Sequence, residues 1–226
     1  MIINYTLTRS KRKTIALYVR NGAVEVRAPL KMAKRDIDKF IISKEKWVTD
    51  RLTKSQEQSE QRKAFALDYG DTVLYRGKDY PIVARDGDRA TFDNTAFYMT
   101  PDLPPKHIKA VCVEIYRMLA KRDLTAKTLN FAEQMGVMPV AVKITGAKRC
   151  WGSCSGKKTI NYSWRLIMAD DAVIDYVVVH ELAHLIEMNH SSRFWNIVEI
   201  MLPDYKARQA QLKELQKRLS KENWEE

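Results

Sequence analysis

His180-Glu181-Leu182-Ala183-His184 places two histidines four residues apart with a carboxylate next to the first. On a helix, side chains four apart stand one above the other, so both imidazoles can reach one metal ion. Glu181 is rotated from His180 by about 100°. Its carboxylate can therefore face a water rather than the ion, and take that water's proton as it attacks. Catalytic zinc uses three protein ligands and keeps one position open, so two histidines do not complete the set. His190 is the expected third ligand. In a continuing helix it would lie about 15 Å from His180, so the helix must stop and the chain turn back. Met188-Asn189 is the expected stop, with Asn189 in the left-handed conformation, and Ser191 and Ser192 offer caps for a following helix. Glu187 and Glu199 stay open as rival third ligands. The His180-to-His190 spacing equals that of the extended metzincin signature, but Glu187 stands where that signature has glycine, which argues against a metzincin.

Trp151-Gly152-Ser153-Cys154-Ser155 is the second distinctive run. Glycine and small residues let backbone approach a ligand closely, and residues 150–164 can supply an edge strand above the metal for an extended substrate. Trp151, Gly152 and Ser153 are substrate-binding candidates on this reading, with Arg149 and Arg165 as cations for an anionic substrate or a developing oxyanion. Tyr162 and Tyr176 are further oxyanion donors by residue type alone. His107, the remaining histidine, reads as a surface or packing residue.

The elements that must position these residues follow from periodicity. Residues 4–28 alternate and carry the tight-turn pair Asn21-Gly22, which predicts a strand followed by a β-hairpin. Ile37, Phe40, Ile41, Trp47, Val48 and Leu52 fall at helical spacing and predict one helix over about 32–62. Between 70 and 99, strands separated by turn signals predict an antiparallel meander. Pro101, Pro104 and Pro105 mark the expected boundary between an N-terminal antiparallel β-rich subdomain with that long helix, 1–102, and a domain over 103–226. The second part is read as a long helix from Ile108 toward Gly136, strands at 139–145 and 159–164, the histidine helix capped at Asp170 or Asp171, and a last helix after Pro203. The fold class is α+β.

The chain has 226 residues, a formal charge of +11 and only three cysteines, Cys112, Cys150 and Cys154, which are expected to be reduced. It has neither an apolar run long enough for a membrane span nor a recognisable signal peptide, which together predict a cytoplasmic protein with no membrane partner. Basic residues occur along the whole chain, with Arg9, Lys11, Arg12 and Lys13 the densest short run. The charge allows nucleic acid as a partner, although no motif indicates it.

Trp151–Ser155, Ser163–Leu166, Ile174–His184, Asn189–Ser191, Phe194-Trp195 and Pro203–Lys206, with Arg9–Thr14 and Val26–Pro29, resemble the YgjP-like metal-dependent hydrolase family over nearly the whole chain. The resemblance implies a zincin-like (minimal gluzincin-like) C-terminal domain related to SprT and WLM metallopeptidases. It also implies His180, His184 and His190 as metal ligands and Glu181 as base. One departure is Cys150 directly before the Trp-Gly-Ser-Cys run, where the family commonly has arginine; Arg149 stands one place earlier. The expected activity is zinc-dependent hydrolysis, metallopeptidase-like, with one Zn²⁺ or another divalent ion and a peptide substrate. A nucleoside triphosphate (UTP) pyrophosphatase at the same site, attributed to the family, is the alternative. A DNA-associated, SprT-like protease and a non-catalytic metal-binding module stand behind it.

Overall fold

The computed structural model describes residues 3–20 and 22–224. The chain forms two compact units, one of residues 1–65 with 220–223, the other of 66–219 with 224–226. The strands between 70 and 99 therefore belong to the unit that carries the histidines, and residue 102 lies inside that unit rather than at its edge.

In the first unit, β1 (Tyr5–Ser10), β2 (Ala16–Arg20) and β3 (Ala23–Pro29) form a sheet in the order β1-β3-β2. The β2–β3 pair is the expected hairpin, with Gly22 at φ 74° in its turn; Asn21 lies outside the described residues. β1 runs parallel to β3, which corrects the expectation of a purely antiparallel N-terminal part. The reason is burial. Val24, Val26 and Ala28 make β3 the strand with a fully buried face, so it takes the centre and β1 pairs on its far side. The helix expected over 32–62 is two helices, α1 (Lys34–Ser43) and α2 (Glu45–Ala64), broken at Lys44 (φ −112°, ψ 13°). At that break Ser43 Oγ donates to the Phe40 carbonyl (2.7 Å). Ile37 and Ile41 of α1 pack on Val26 and Ala28.

In the second unit, β4 (Thr72–Tyr75), β5 (Lys78–Ala84), β6 (Thr91–Phe92) and β7 (Phe97–Met99) form a sheet ordered β4-β5-β7-β6. The strand positions match the expected ones, but this is not a meander, because β7 runs parallel to β5 and sits between β5 and β6. Phe97 and Met99 are fully buried whereas β6 is two half-buried residues, so the inner place goes to the more apolar strand. α3 (Pro105–Gln134) begins with proline at its first position and ends before Gly136 at φ 64°. β8 (Ala141–Thr145), β9 (Gly152–Cys154) and β10 (Thr159–Ser163) form a sheet ordered β8-β10-β9, so β9 is an edge strand. A 3₁₀ turn, Trp164–Met168, then leads into α4 (Asp171–Ala183). Trp164 stacks on Tyr116 of α3 (ring centroids 5.5 Å), and Trp224 packs edge-on against both.

Two anchors fix where α4 begins. Arg76 makes a bidentate pair with Asp171 (2.8 and 2.6 Å), and Lys127 of α3 pairs with Asp175 (2.6 Å). Asp170 holds the N-cap position, but its side chain makes no capping bond there. α4 has no single polar face, and Val173, Ile174, Val177, Val178, Val179 and Leu182 are all buried. It packs against α3, β9, α5 (Ser192–Met201) and α6 (Tyr205–Leu219), as a helix without a polar face must. None of the described helices is long and apolar enough to cross a membrane.

Candidate metal centre

α4 carries His180, Glu181 and, as its C-cap, His184. The chain then reverses through a tight turn. The Leu185 N–H donates to the Leu182 carbonyl and the Ile186 N–H to that of Ala183, so the reversal begins at once after the second histidine. This corrects the expected stop at Met188-Asn189. Asn189 has no positive φ, and the turn is made by successive short-range bonds instead of one left-handed residue. Ser191 caps α5 as expected, accepting from the Phe194 N–H; Ser192 is the first helical residue.

The turn brings His190 back to the helix. One ligand nitrogen from each of His180, His184 and His190 lies within 4.8 Å of the others, and the Nε2 atoms of His180 and His190 are 3.1 Å apart. Nitrogens held tetrahedrally on zinc stand about 3.3 Å apart, given Zn–N bonds of about 2.0–2.1 Å. The donor set fits a divalent ion of intermediate softness. His184 Nδ1 faces the Glu187 carbonyl at 3.2 Å, which leaves its Nε2 lone pair for a ligand. Burial, with lesser repulsion from His184 and His190, pushes the His180 imidazole down to about 3, so protons do not compete for its lone pair near neutral pH. Neither Glu187 nor Glu199 joins this cluster among the described residues.

Phe194 is a member of the site that sequence spacing did not single out. It is fully buried, and its ring lies 4.9, 4.5 and 4.7 Å from the rings of His180, His184 and His190. Trp195 packs beside His180 and His190 and stacks on Tyr205 (5.4 Å). The signal available was an aromatic pair three residues after the cap of a helix that had to fold back onto the histidines.

Glu181 is 5% exposed. Burial raises its carboxyl from 4.5 to about 7. What lies against it is Gly152: a Cβ added there would come within 2.6 Å of both Cγ and Oε1 of Glu181. The glycine of the Trp-Gly-Ser-Cys run is thus a close-approach residue, and what it approaches is the glutamate beside the histidines.

The other candidates sort differently. Ser153 is exposed on β9, where its Oγ accepts from Asn161 (3.3 Å). Trp151 is half-buried and its carbonyl accepts from the Ser163 N–H. Arg149 and Cys150 are exposed in the loop before β9. Arg165 is engaged elsewhere, donating to the Gly146 carbonyl (3.1 Å) with its guanidinium over the Trp164 ring (4.4 Å). Tyr162 is a core residue whose hydroxyl accepts from Thr128, and burial pushes its phenol far up. The Tyr176 ring lies edge-on to His180 (5.9 Å), and its hydroxyl accepts from Gln209 (3.4 Å). His107 is exposed near the start of α3.

A family model for YgjP-like proteins, described as a metallopeptidase domain, matches residues 13–215. The chain belongs to the YgjP-like family. With membership comes the broad class, a metal-dependent hydrolase. Curated proteins give no significant match to this YgjP-like chain. Among solved structures it is similar to the metallopeptidase zymogens abylysin of Pyrococcus abyssi (23% identity, TM-score 0.38, 44% of this chain and 98% of that one). Jannalysin of Methanocaldococcus jannaschii is similar to the same degree (22%, TM-score 0.37, 42% and 97%).

Proposed function

We propose that this YgjP-like protein is a zinc-dependent peptidase in which His180, His184 and His190 hold the ion and Glu181 is the general base. The observation that carries the reading is the buried carboxylate of Glu181 on the same helix as two of three convergent imidazoles. Bound there, zinc would supply a Lewis acid for the substrate carbonyl and make water acidic near neutral pH. The residues of the chain do the rest. Glu181, whose carboxyl is raised toward neutrality by burial, takes a proton from water and returns it to the leaving amine. Gly152 keeps the space that this carboxylate needs. Phe194 and Trp195 hold the imidazoles in place and exclude bulk water from their backs.

A peptide is favoured as substrate by β9. Among the described residues this strand pairs only with β10, which leaves its other edge to add an extended chain by main-chain hydrogen bonds. The pyrophosphatase alternative draws less support, since Arg165 is engaged and residues 66–226 carry 23 basic against 21 acidic side chains, a balance of only +2. The test is turnover of a peptide library and a panel of nucleoside triphosphates by zinc-loaded protein and by Glu181→Gln. Peptide cleavage lost in the variant with zinc content kept is the expected result. Triphosphate hydrolysis with the same dependence, and no peptide cleavage, would overturn the peptidase reading.

A further inference from the structure

The positive charge is not shared evenly. Residues 1–65 hold sixteen lysines and arginines against seven acidic residues, so about a quarter of the chain carries +9 of the net +11. No part of the proposed hydrolytic site lies in that unit. A charge of this density attracts polyanions.

Register shows how some of it is displayed. The face of the β1-β3-β2 sheet opposite Val24, Val26 and Ala28 carries Thr6 and Thr8 from β1, Tyr18 and Arg20 from β2, and Glu25 and Arg27 from β3. α1 packs on the other face, and Thr6, Thr8 and Arg20 are exposed on this one. The half-buried Tyr18 ring lies beside two guanidinium groups, Arg20 at 4.9 Å and Arg27 at 5.0 Å from its centre. Glu25 is the one acidic group among these side chains; it pairs with Arg27 (2.7 Å) and its pKa is also drawn down by the charge of Arg20, so two guanidinium groups share one carboxylate. The β1–β2 loop adds Lys11 and Lys13, both exposed, at the end where β1 finishes and β2 begins.

We propose that this face is a docking surface for single-stranded nucleic acid. An aromatic ring on an open sheet face offers a stacking surface that any base can use, arginines beside it contact both base planes and phosphates, and hydroxyls and lysines follow the backbone. A lipid surface fits less well. The face presents no large apolar side chain to insert besides the Tyr18 ring, so only charge attraction would hold it to an anionic membrane. A duplex fits less well also, because a flat face reaches bases only once they are unstacked. The surface lies outside the hydrolytic site, so the proposal stands or falls independently of the peptidase reading.

The probe is a fluorescein-labelled single-stranded oligonucleotide of about 15 nucleotides, a length that spans one such platform. Anisotropy titrations with the full chain are run beside the same sequence as a duplex and vesicles containing phosphatidylglycerol. Tighter binding to the single strand than to either alternative is expected. Lys11→Glu, Lys13→Glu and Arg20→Glu combined should weaken it at least about 30-fold and flatten the slope of log K against log salt by about 2, as three lost phosphate contacts require. Tyr18→Ala should cost about tenfold on the single strand and leave the weaker duplex affinity unchanged, as loss of one stacked base requires. Unchanged melting temperatures check that the variants fold. Binding to vesicles alone, duplex binding as tight as single-strand binding, or single-strand binding untouched by the charge reversals each overturns the proposal. The salt slope of the unmodified protein tests it without any variant: a slope near zero overturns it.

Discussion

The histidine site and the sheet face of the first unit handle charge in opposite ways. Around α4 the chain removes water, so burial drives His180 toward its neutral form and raises Glu181 toward neutrality, and ring packing by Phe194 holds the geometry. On the β1-β3-β2 face, arginines and lysines stay in water, where each one is worth little alone and only their sum matters. A buried site depends on single atoms, so one substitution should abolish it. An exposed cationic face degrades in proportion to the charges removed.

The comparison predicts the largest effect at Glu181. Glu181→Gln keeps shape and burial but cannot accept a proton, so turnover should fall by about 10²–10⁴ with zinc retained, measured by steady-state assay and elemental analysis. Retained activity would remove the general-base role. Next is His190, the exposed member of the proposed ligand set. His190→Ala should weaken zinc binding by more than about 100-fold, beyond the 10–100-fold typical of outer-shell changes. Competition with a chelator of known affinity measures this, and unchanged affinity would mean that the ion is held elsewhere.

How much of this was legible beforehand depended on how local the determinant was. His180 and His184 converge because a helix puts residues four apart together, and nothing distant is needed. The start of α4, the Ser191 cap and the course of α3 are local too. The turn to His190 was misplaced because a reversal can be built from short-range carbonyl bonds at Leu182 and Ala183, which leave no residue signature, whereas a left-handed Asn189 would have left one. Strand order failed for the same reason: β7 lies between β5 and β6 because of what covers Phe97 and Met99, and no spacing along the chain encodes that cover. Gly152 marked itself as a place of close approach, but the partner, Glu181, stands 29 residues away on another element. The charge asymmetry was different. It could be counted in the sequence, and only the division at residue 65 gave the count a meaning.

Gly152 gives the sharper way to test how far the buried site depends on single atoms. Gly152→Ala should lower kcat by about 100-fold, nearly 3 kcal/mol in the barrier, with KM and zinc content little changed, because the new methyl displaces the Glu181 carboxylate. Glu181→Asp withdraws the carboxylate by one methylene and is itself slow. In that background Gly152→Ala should cost little further, since the space is already vacated. Non-additivity of this kind is the signature of direct contact. If the two losses instead multiplied, Gly152 would matter for the strand and not for the base.

The smallest effect separates burial from proton transfer. In chelated protein, Glu181 ionises at about 7 when folded, against 4.5 for the free side chain. The folded state therefore holds a proton that the unfolded chain has already released between those values. The stability this contributes is fully present below pH 4.5 and is lost as pH rises through about 7. His180 works in the other direction. Its folded value of about 3 lies below the free 6.5, so its contribution is present above pH 6.5 and is lost as pH falls toward 3. Glu181→Gln removes only the first effect. The melting temperature of the chelated variant should therefore rise relative to unmodified protein between pH 4.5 and 7, by the equivalent of roughly 3 kcal/mol, or several degrees for a chain of this size. With zinc restored the difference should shrink, because a cation near the carboxylate favours its charged form. A difference that stays flat with pH in the chelated protein would mean that Glu181 reaches water freely, and the contrast with the exposed sheet face would lose its basis.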